Sequence, residues 1–205
     1  GGVRTADRGL LQKYIARLEA TPISRFNRRE QFAYWVNFYN ALTVKVVLDH
    51  YPVASIRDID ISPGFFADGP WGAKLATVEG EKVSLDDIEH RILRPIWKDP
   101  RIHYVVNCAS VGCPDLPPVA LTAENSETLL AEMAERFVNH PRGVSAADGR
   151  IVVSSIYEWF QEDFGGTEKG VLDHIRRFAL PSLAGRLKGR DSYDDDAYDW
   201  KLNDR

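Results

Sequence analysis

The sequence FAYWVNFYNAL, residues 32–42, decides the fold, because it is apolar around much of the circumference of a helix. The same helical pattern of apolar residues continues to Val47. Asn27 with Glu30 three residues later predicts a capping box before it, and Pro52 predicts its end, since the residue before a proline disfavours helical geometry. We therefore expect a long central helix that the rest of the chain buries.

Shorter patterns of helices and strands follow this helix along the chain. The predicted helices cover residues 6–20, 84–93, 121–138, 155–165 and 171–187, the predicted hairpins cover 76–83 and 144–153, and a buried strand is predicted at 101–106. The sum is a helix-rich α+β fold, a single domain over residues 1–205 with one small, mainly antiparallel sheet.

Composition bounds the classes of protein to consider. The chain has 205 residues, of which 44% are hydrophobic and 27% charged, so it can bury a core and is neither disordered nor a disulfide-dense miniprotein. A net charge of −4 argues against nucleic-acid or anionic-membrane partners. No run of about 18 apolar residues predicts a membrane span, and no signal peptide is visible.

Cys108 is the best candidate for a nucleophile, because a thiol near a base or a positive charge becomes reactive at neutral pH. His103 is close in sequence, but five residues of the predicted strand span about 16 Å and turn the two side chains to opposite faces. His90, on the preceding helix, is therefore the expected general base, oriented by Asp86 one turn earlier or by Glu89. A buried structural cysteine is the other interpretation.

Cys113, the second cysteine, adds further interpretations. In an oxidising compartment the turn-rich segment from Cys108 to Cys113 could close a disulfide, or Cys113 could be the resolving thiol of a redox pair. A zinc site that includes His90 and His103 is a weaker alternative, because only Asp86 and His90 have the i, i+4 spacing of helical ligands. We predict no metal and no cofactor.

Several polar and aromatic residues also have two interpretations each. Asn37 and Asn40 share a face of the central helix, so they either tie a loop to it or supply a donor to an oxyanion. Arg94 belongs to a group of arginines that would bind a carboxylate or phosphate if clustered, and is otherwise a solvated residue. Trp200 fits a cleft wall better than a nucleic-acid stacking platform, and its aromatic-rich tail is expected to dock onto the body.

Several stretches together resemble the domain-of-unknown-function 547 family. They are FAYWVNFYNAL at 32–42, SLDDIEH at 84–90 with LR at 93–94, DPRIH at 99–103, NCASVGCP at 107–114, SSIYEWF at 154–160 and YDW at 198–200. The likeness covers the chain from about residue 28 to its end, with the helix at 6–20 expected to pack on this region. It implies a family and leaves the activity open.

The resemblance bears on location and on the two cysteines. Bacterial members look exported, which implies a periplasmic or exported protein, and a chain that is not exported would be cytoplasmic. Some eukaryotic relatives carry serine at the position of Cys113, whereas the position of Cys108 belongs to the core motif. The resemblance therefore implies that Cys108 is the thiol with a role and that a disulfide is not obligatory in the family.

The leading hypothesis is a thiol-dependent hydrolase or acyl transferase that acts on an unidentified small molecule or peptide. Cys108 is the predicted nucleophile, with His90 as base, Glu89 as its orienting carboxylate and Asn37 at the oxyanion. The predicted binding residues are Asn40, Arg94, His103, Ser110 and Trp200. The alternatives are a non-catalytic ligand- or protein-binding module and a periplasmic thiol redox protein.

Overall fold

The computed structural model describes residues 5–64 and 68–204 of the chain, and within them it shows a helix-rich α+β fold. The α-helices are α1 (Thr5–Glu19), α2 (Arg28–His50), α3 (Arg94–Trp97), α4 (Ser126–Val138), α5 (Ser155–Trp159), α6 (Glu168–Phe178) and α7 (Pro181–Leu187). A π-helix covers Asp87–Leu93, and 3₁₀ turns cover Ile23–Arg25, Ile56–Asp58, Pro100–Tyr104 and Gln161–Phe164. None of the described helices is long and apolar enough to cross a membrane.

The long central helix is confirmed as α2. Asn27 accepts hydrogen bonds from the backbone amides of Arg29 and Glu30, and Glu30 accepts one from the amide of Asn27, which completes the predicted capping box. The helix ends at His50, just before Pro52. Its side chains are buried on most sides of its axis, because α1, the π-helix and the segment around residues 105–121 pack around it.

The strands form two small sheets instead of the single predicted sheet. The first is the antiparallel hairpin of β1 (Ala76–Val78) and β2 (Glu81–Val83), and the second joins β3 (Val144–Ala147), β4 (Arg150–Ser154) and β5 (Asp195–Ala197). Both predicted hairpins are present. The prediction missed β5, which pairs in parallel with β4 because the chain returns from α7 along the edge of that hairpin.

The predicted strand at 101–106 is wrong. Pro100–Tyr104 is a 3₁₀ turn. The side chain of Asp99 caps its start by accepting a hydrogen bond from the amide of Arg101, and the amide of Val105 closes its end by donating to the carbonyl of Ile102. The apolar residues of this segment are buried, and a short buried run has the same sequence pattern in a turn as in a strand. The correction matters, because the turn places His103 on the same cavity as the segment that follows it.

The helix predicted at 84–93 begins as a π-helix. Ser84 and Asp87 form the predicted reciprocal cap, and the wide turns then run to Leu93. Pro95 has no N–H to donate to the carbonyl of Arg91, which removes one α-helical hydrogen bond at this point. π-Helical turns are rare and are often found at functional sites, and this one carries Glu89 and His90.

The start of α4 differs from the prediction, and the tail docks as predicted. Helix α4 begins at Ser126 and not at 121, because Asn37 of α2 bonds to both backbone groups of Leu121. Helix α5 begins at Ser155, as predicted, and its cap is Ser154. The tail runs from β5 back to the body, where Lys201 bridges to Ser55 and Leu202 bridges to Ser110.

Candidate active site

A cavity of about 420 Å³ lies between the π-helix, the loop after the 3₁₀ turn and the tail. It is lined by Tyr39, Ser62, Pro63, Asp68, Trp71, Gly72, Asp86, Glu89, His90, His103, Val106, Cys108, Cys113, Ile156, Trp159, Phe160, Tyr198 and Trp200. Parts of the chain that are far apart in sequence therefore bring thiols, carboxylates, histidines and aromatic rings to one open cavity.

The central helix holds the segment that carries Cys108. Asn40 donates to the carbonyl of Val105 at 2.7 Å and accepts from the amide of Asn107 at 2.9 Å. Asn107 in turn accepts from the amide of Ala109 at 2.7 Å, which closes a turn around Cys108 and holds Ala109 at a left-handed φ of 63°. Asn40 therefore ties this loop backbone to the helix, which is one of its two predicted interpretations, and it is not among the residues that line the cavity.

The sulfur of Cys108 is surrounded by hydrogen-bonding groups. It lies 2.9 Å from the sulfur of Cys113, 2.9 Å from the hydroxyl of Tyr198 and 3.2 Å from the hydroxyl of Ser110. The backbone amide of Ser110 also donates to it. Both cysteines are free thiols, with Cys113 buried and Cys108 half-buried.

These groups decide which thiol ionises first. The pKa of Cys108 is lowered to about 7, chiefly by the hydrogen bond from Cys113 and further by those from Ser110 and Tyr198, although burial opposes the shift. The pKa of Cys113 is raised by burial and by the neighbouring Cys108. A thiolate is therefore favoured on Cys108, with Cys113 as the donor that stabilises it.

Neither histidine of the cavity is hydrogen-bonded to Cys108 within the described part of the chain. His103 is buried and stacks on Phe160 with ring centroids 4.3 Å apart. Its Nε2 bonds to the Oδ2 of Asp163 at 2.7 Å, and its Nδ1 lies 3.8 Å from the Oε1 of Glu89. Since Asp163 fixes one ring nitrogen, the other faces Glu89 at the wall of the cavity.

The groups around His103 are themselves held in place. The pKa of Asp163 is lowered to about 2 by the hydrogen bonds from His103 and Arg94, against the effect of burial. Glu89 is buried, and Tyr39 makes a hydrogen bond to it that, together with burial, raises the pKa of the tyrosine. The ring of His103 is therefore held in one orientation by Asp163, through its Nε2.

His90 lies beside Asp86, as its spacing predicts, and it also contacts Arg94, which the sequence does not predict. Its Nδ1 lies 3.0 Å from a guanidinium nitrogen of Arg94, and since a guanidinium only donates, Nδ1 must accept. Its Nε2 lies 3.7 Å from the Oδ1 of Asp86. The lone pair that a general base needs is thus used by Arg94, and Glu89 orients His103 and not His90.

Aromatic rings form the outer wall of the cavity. Trp200 meets Trp71 edge to face at 5.8 Å, and its other neighbours are Trp159 at 5.4 Å and Tyr198 at 4.7 Å. Trp159 is 48% exposed, which is unusual for so large an apolar side chain. The predicted binding residue Trp200 is therefore at the cavity, on a wall with apolar surface open to a ligand.

The structure does not bring Asn37 to the site. Both polar atoms of its amide bond to the backbone of Leu121, and its side chain borders a separate cavity. Ser110 is fully buried and acts on the sulfur of Cys108 instead of facing a ligand. Arg94 lies behind the wall, where it binds Asp163 and His90 and stacks on Phe160.

Sequence reasoning missed Tyr198, Asp163 and Tyr39. A signal existed for Tyr198, because it belongs to the YDW motif next to Trp200. No local pattern marks Asp163, which lies 60 residues from the histidine that it orients. Among the residues described here, no group of three or more histidine, cysteine or acidic side chains is arranged to hold a metal ion.

Comparison with known proteins adds a family and no activity. The model of the family described as "Protein of unknown function, DUF547" matches residues 23–138, which is more than half of the chain. No curated protein and no solved structure matches the chain.

Proposed function

Because the chain belongs to the DUF547 family, whose description assigns no activity, we propose a function from the chemistry of the cavity. The protein is an acyl-transferring or hydrolytic enzyme with Cys108 as its nucleophile. The observation that carries this proposal is the ring of donors around the sulfur of Cys108, which lowers the pKa of that thiol at the wall of a cavity large enough for a small substrate.

The proposed reaction has two steps. The thiolate of Cys108 attacks a carbonyl carbon, a thioester forms, and the leaving group departs with a proton supplied by His103 and Glu89. Water or an acceptor then attacks the thioester, returns a proton to the same two residues and restores the thiolate. This scheme differs from the sequence-based hypothesis, since His103 with Asp163 replaces His90 as the group that transfers protons.

The test uses p-nitrophenyl acetate as a probe, with intact-mass analysis and peptide mapping. The wild-type protein should carry one acetyl group on Cys108 during turnover, and Cys108→Ser should carry none. His103→Gln should still be acetylated but should release acetate about 100-fold more slowly, the usual contribution of a proton-transferring group. A wild-type protein that gains no acetyl group on Cys108 would overturn the proposal.

The matched control is His90→Gln. In the wild type, the Nδ1 of His90 already accepts a hydrogen bond from Arg94. We therefore expect the rates of acetylation and of acetate release in this variant to stay within about threefold of the wild-type rates. If His90→Gln blocked release and His103→Gln did not, the proton-transfer role would belong to His90.

A second candidate, a thiol redox protein, is favoured by one observation, the 2.9 Å between the two sulfur atoms. Cys108 would attack a disulfide substrate, Cys113 would then attack the mixed disulfide, and the substrate would leave as two thiols while the pair becomes a disulfide. Incubation with oxidised glutathione separates the two candidates. A redox protein loses two hydrogens reversibly, and its Cys113→Ser variant retains glutathione on Cys108.

A further inference from the structure

The charges that line the cavity have one sign. Asp68, Asp86 and Glu89 are carboxylates, and the described lining residues include neither lysine nor arginine. Asp68 is already paired with Arg57, whose guanidinium also lies 5.3 Å from the ring centre of Trp200. Glu89 already faces His103 and Tyr39, so the carboxylate left for a ligand is that of Asp86, which lines the same cavity as the Cys108 thiol.

Within the described structure, the carboxylate of Asp86 has few hydrogen-bonding or charged partners. Its side chain is 49% exposed, it makes no capping hydrogen bond to the π-helix, and the nearest partner is the Nε2 of His90 at 3.7 Å. Partial burial raises its pKa, although the charges of His90 and Lys74 oppose the shift. A cationic ligand in the cavity would give this carboxylate a partner in direct contact.

Another part of the cavity wall is aromatic. The ring centre of Trp200 lies 5.8 Å from that of Trp71 and 5.4 Å from that of Trp159, and Trp159 keeps nearly half of its surface open. Indole rings attract cations through the negative face of the π system, and rings combined with carboxylates are a common way to bind ammonium and guanidinium groups. Trp200 already contacts one guanidinium, that of Arg57.

We infer that the cavity recognises a substrate through a cationic group, an alkylammonium or guanidinium, held between Asp86 and the tryptophan wall beside Cys108. The inference rests on the proposed function only in taking the ligand of this cavity to be the substrate. It narrows that substrate to amino or guanidino compounds, such as peptides with a lysine or arginine side chain.

The experiment measures binding and not turnover, and it uses Cys108→Ser. Nα-acetyl-lysine methylamide is compared by calorimetry with Nα-acetyl-norleucine methylamide, which has a similar shape without the charge, and with Nα-acetyl-arginine methylamide. We expect at least one of the two cations to bind about tenfold more tightly than the norleucine compound. Equal or tighter binding of norleucine, or no binding of either cation, would overturn the inference.

Asp86→Asn in the same background tests the residue itself. This change should weaken binding of the cation about tenfold and leave the norleucine compound unaffected. Glu132→Gln, which removes the same charge from an exposed position on α4, is the matched control and should change neither. Cation binding by a protein that cannot be acetylated would refute the proposed function alone, and acetylation without cation preference would refute this inference alone.

Discussion

Cys108 owes its predicted reactivity to hydrogen-bond donors and not to an adjacent base. Four groups lie within hydrogen-bonding distance of its sulfur and can donate to it once it is ionised, namely the thiol of Cys113, the hydroxyls of Ser110 and Tyr198, and the amide of Ser110. Each of them stabilises the thiolate more than the thiol. The residue that matters most is Cys113, because its hydrogen bond contributes the largest part of the lowered pKa.

Replacement of Cys113 tests this account. Alkylation of Cys108 by iodoacetamide, followed by peptide mapping over a range of pH, should have a midpoint at about 7 in the wild type. Cys113→Ala removes the main donor and should raise the midpoint by about one unit, whereas Cys113→Ser keeps a hydroxyl donor and should lie closer to the wild type. An unchanged midpoint in Cys113→Ala would contradict the role given to Cys113.

At the scale of elements, α2 is a scaffold with two separate attachments. Asn37 bonds to both backbone groups of Leu121, and Asn40 bonds to Val105 and Asn107. The first attachment fixes the loop before α4, and the second fixes the turn that carries Cys108. The two asparagines lie three positions apart on one helix. Asn37 therefore holds the loop before α4, and Asn40 holds the turn that carries Cys108.

The two asparagines form a matched pair of variants. Asn37→Ala and Asn40→Ala should each lower the free energy of unfolding in urea by about 1–3 kcal/mol, because each leaves buried backbone groups without partners. Only Asn40→Ala should also slow the alkylation of Cys108, since only that amide orders the turn around the thiol. Equal loss of alkylation in both variants would show that general loosening is the cause.

What the sequence could predict follows from how local each determinant is. The capping box of Asn27 and Glu30 was predictable, because its partners are neighbours in the chain. The position of His103 was not, since a buried apolar run does not distinguish a strand from a 3₁₀ turn. The partnership of His103 with Asp163 depends on tertiary packing, which no local pattern encodes.

At the scale of the whole molecule, a buried polar chain crosses the core behind the site. The hydroxyl of Tyr104 lies 3.1 Å from that of Tyr157 and 2.9 Å from the Nε2 of His174. All three side chains are buried, and burial lowers the pKa of His174 to about 4. The histidine is therefore neutral in the folded protein and joins α6 to the turn that contains His103.

This neutral histidine makes stability depend on pH. As the pH falls from about 6.5 to about 4, His174 takes up a proton in the unfolded chain before it does so in the folded one. The free energy of unfolding should therefore decrease in that range, with a contribution of up to about 1.4 kcal/mol per pH unit. Urea unfolding of His174→Gln should lack this contribution, and an identical pH dependence in both proteins would contradict it.

The docking of the tail links the chemistry of the thiol to the order in which the polypeptide is made. Tyr198 follows Cys108 by 90 residues, so a ribosome completes the cysteine segment long before the tyrosine emerges. Contacts between such distant residues also form late in folding, because closing a long loop costs entropy. A nascent or partly folded chain thus has Cys108 without one of the donors that lower the pKa of its thiol, and we expect this pKa to fall only once the tail has docked.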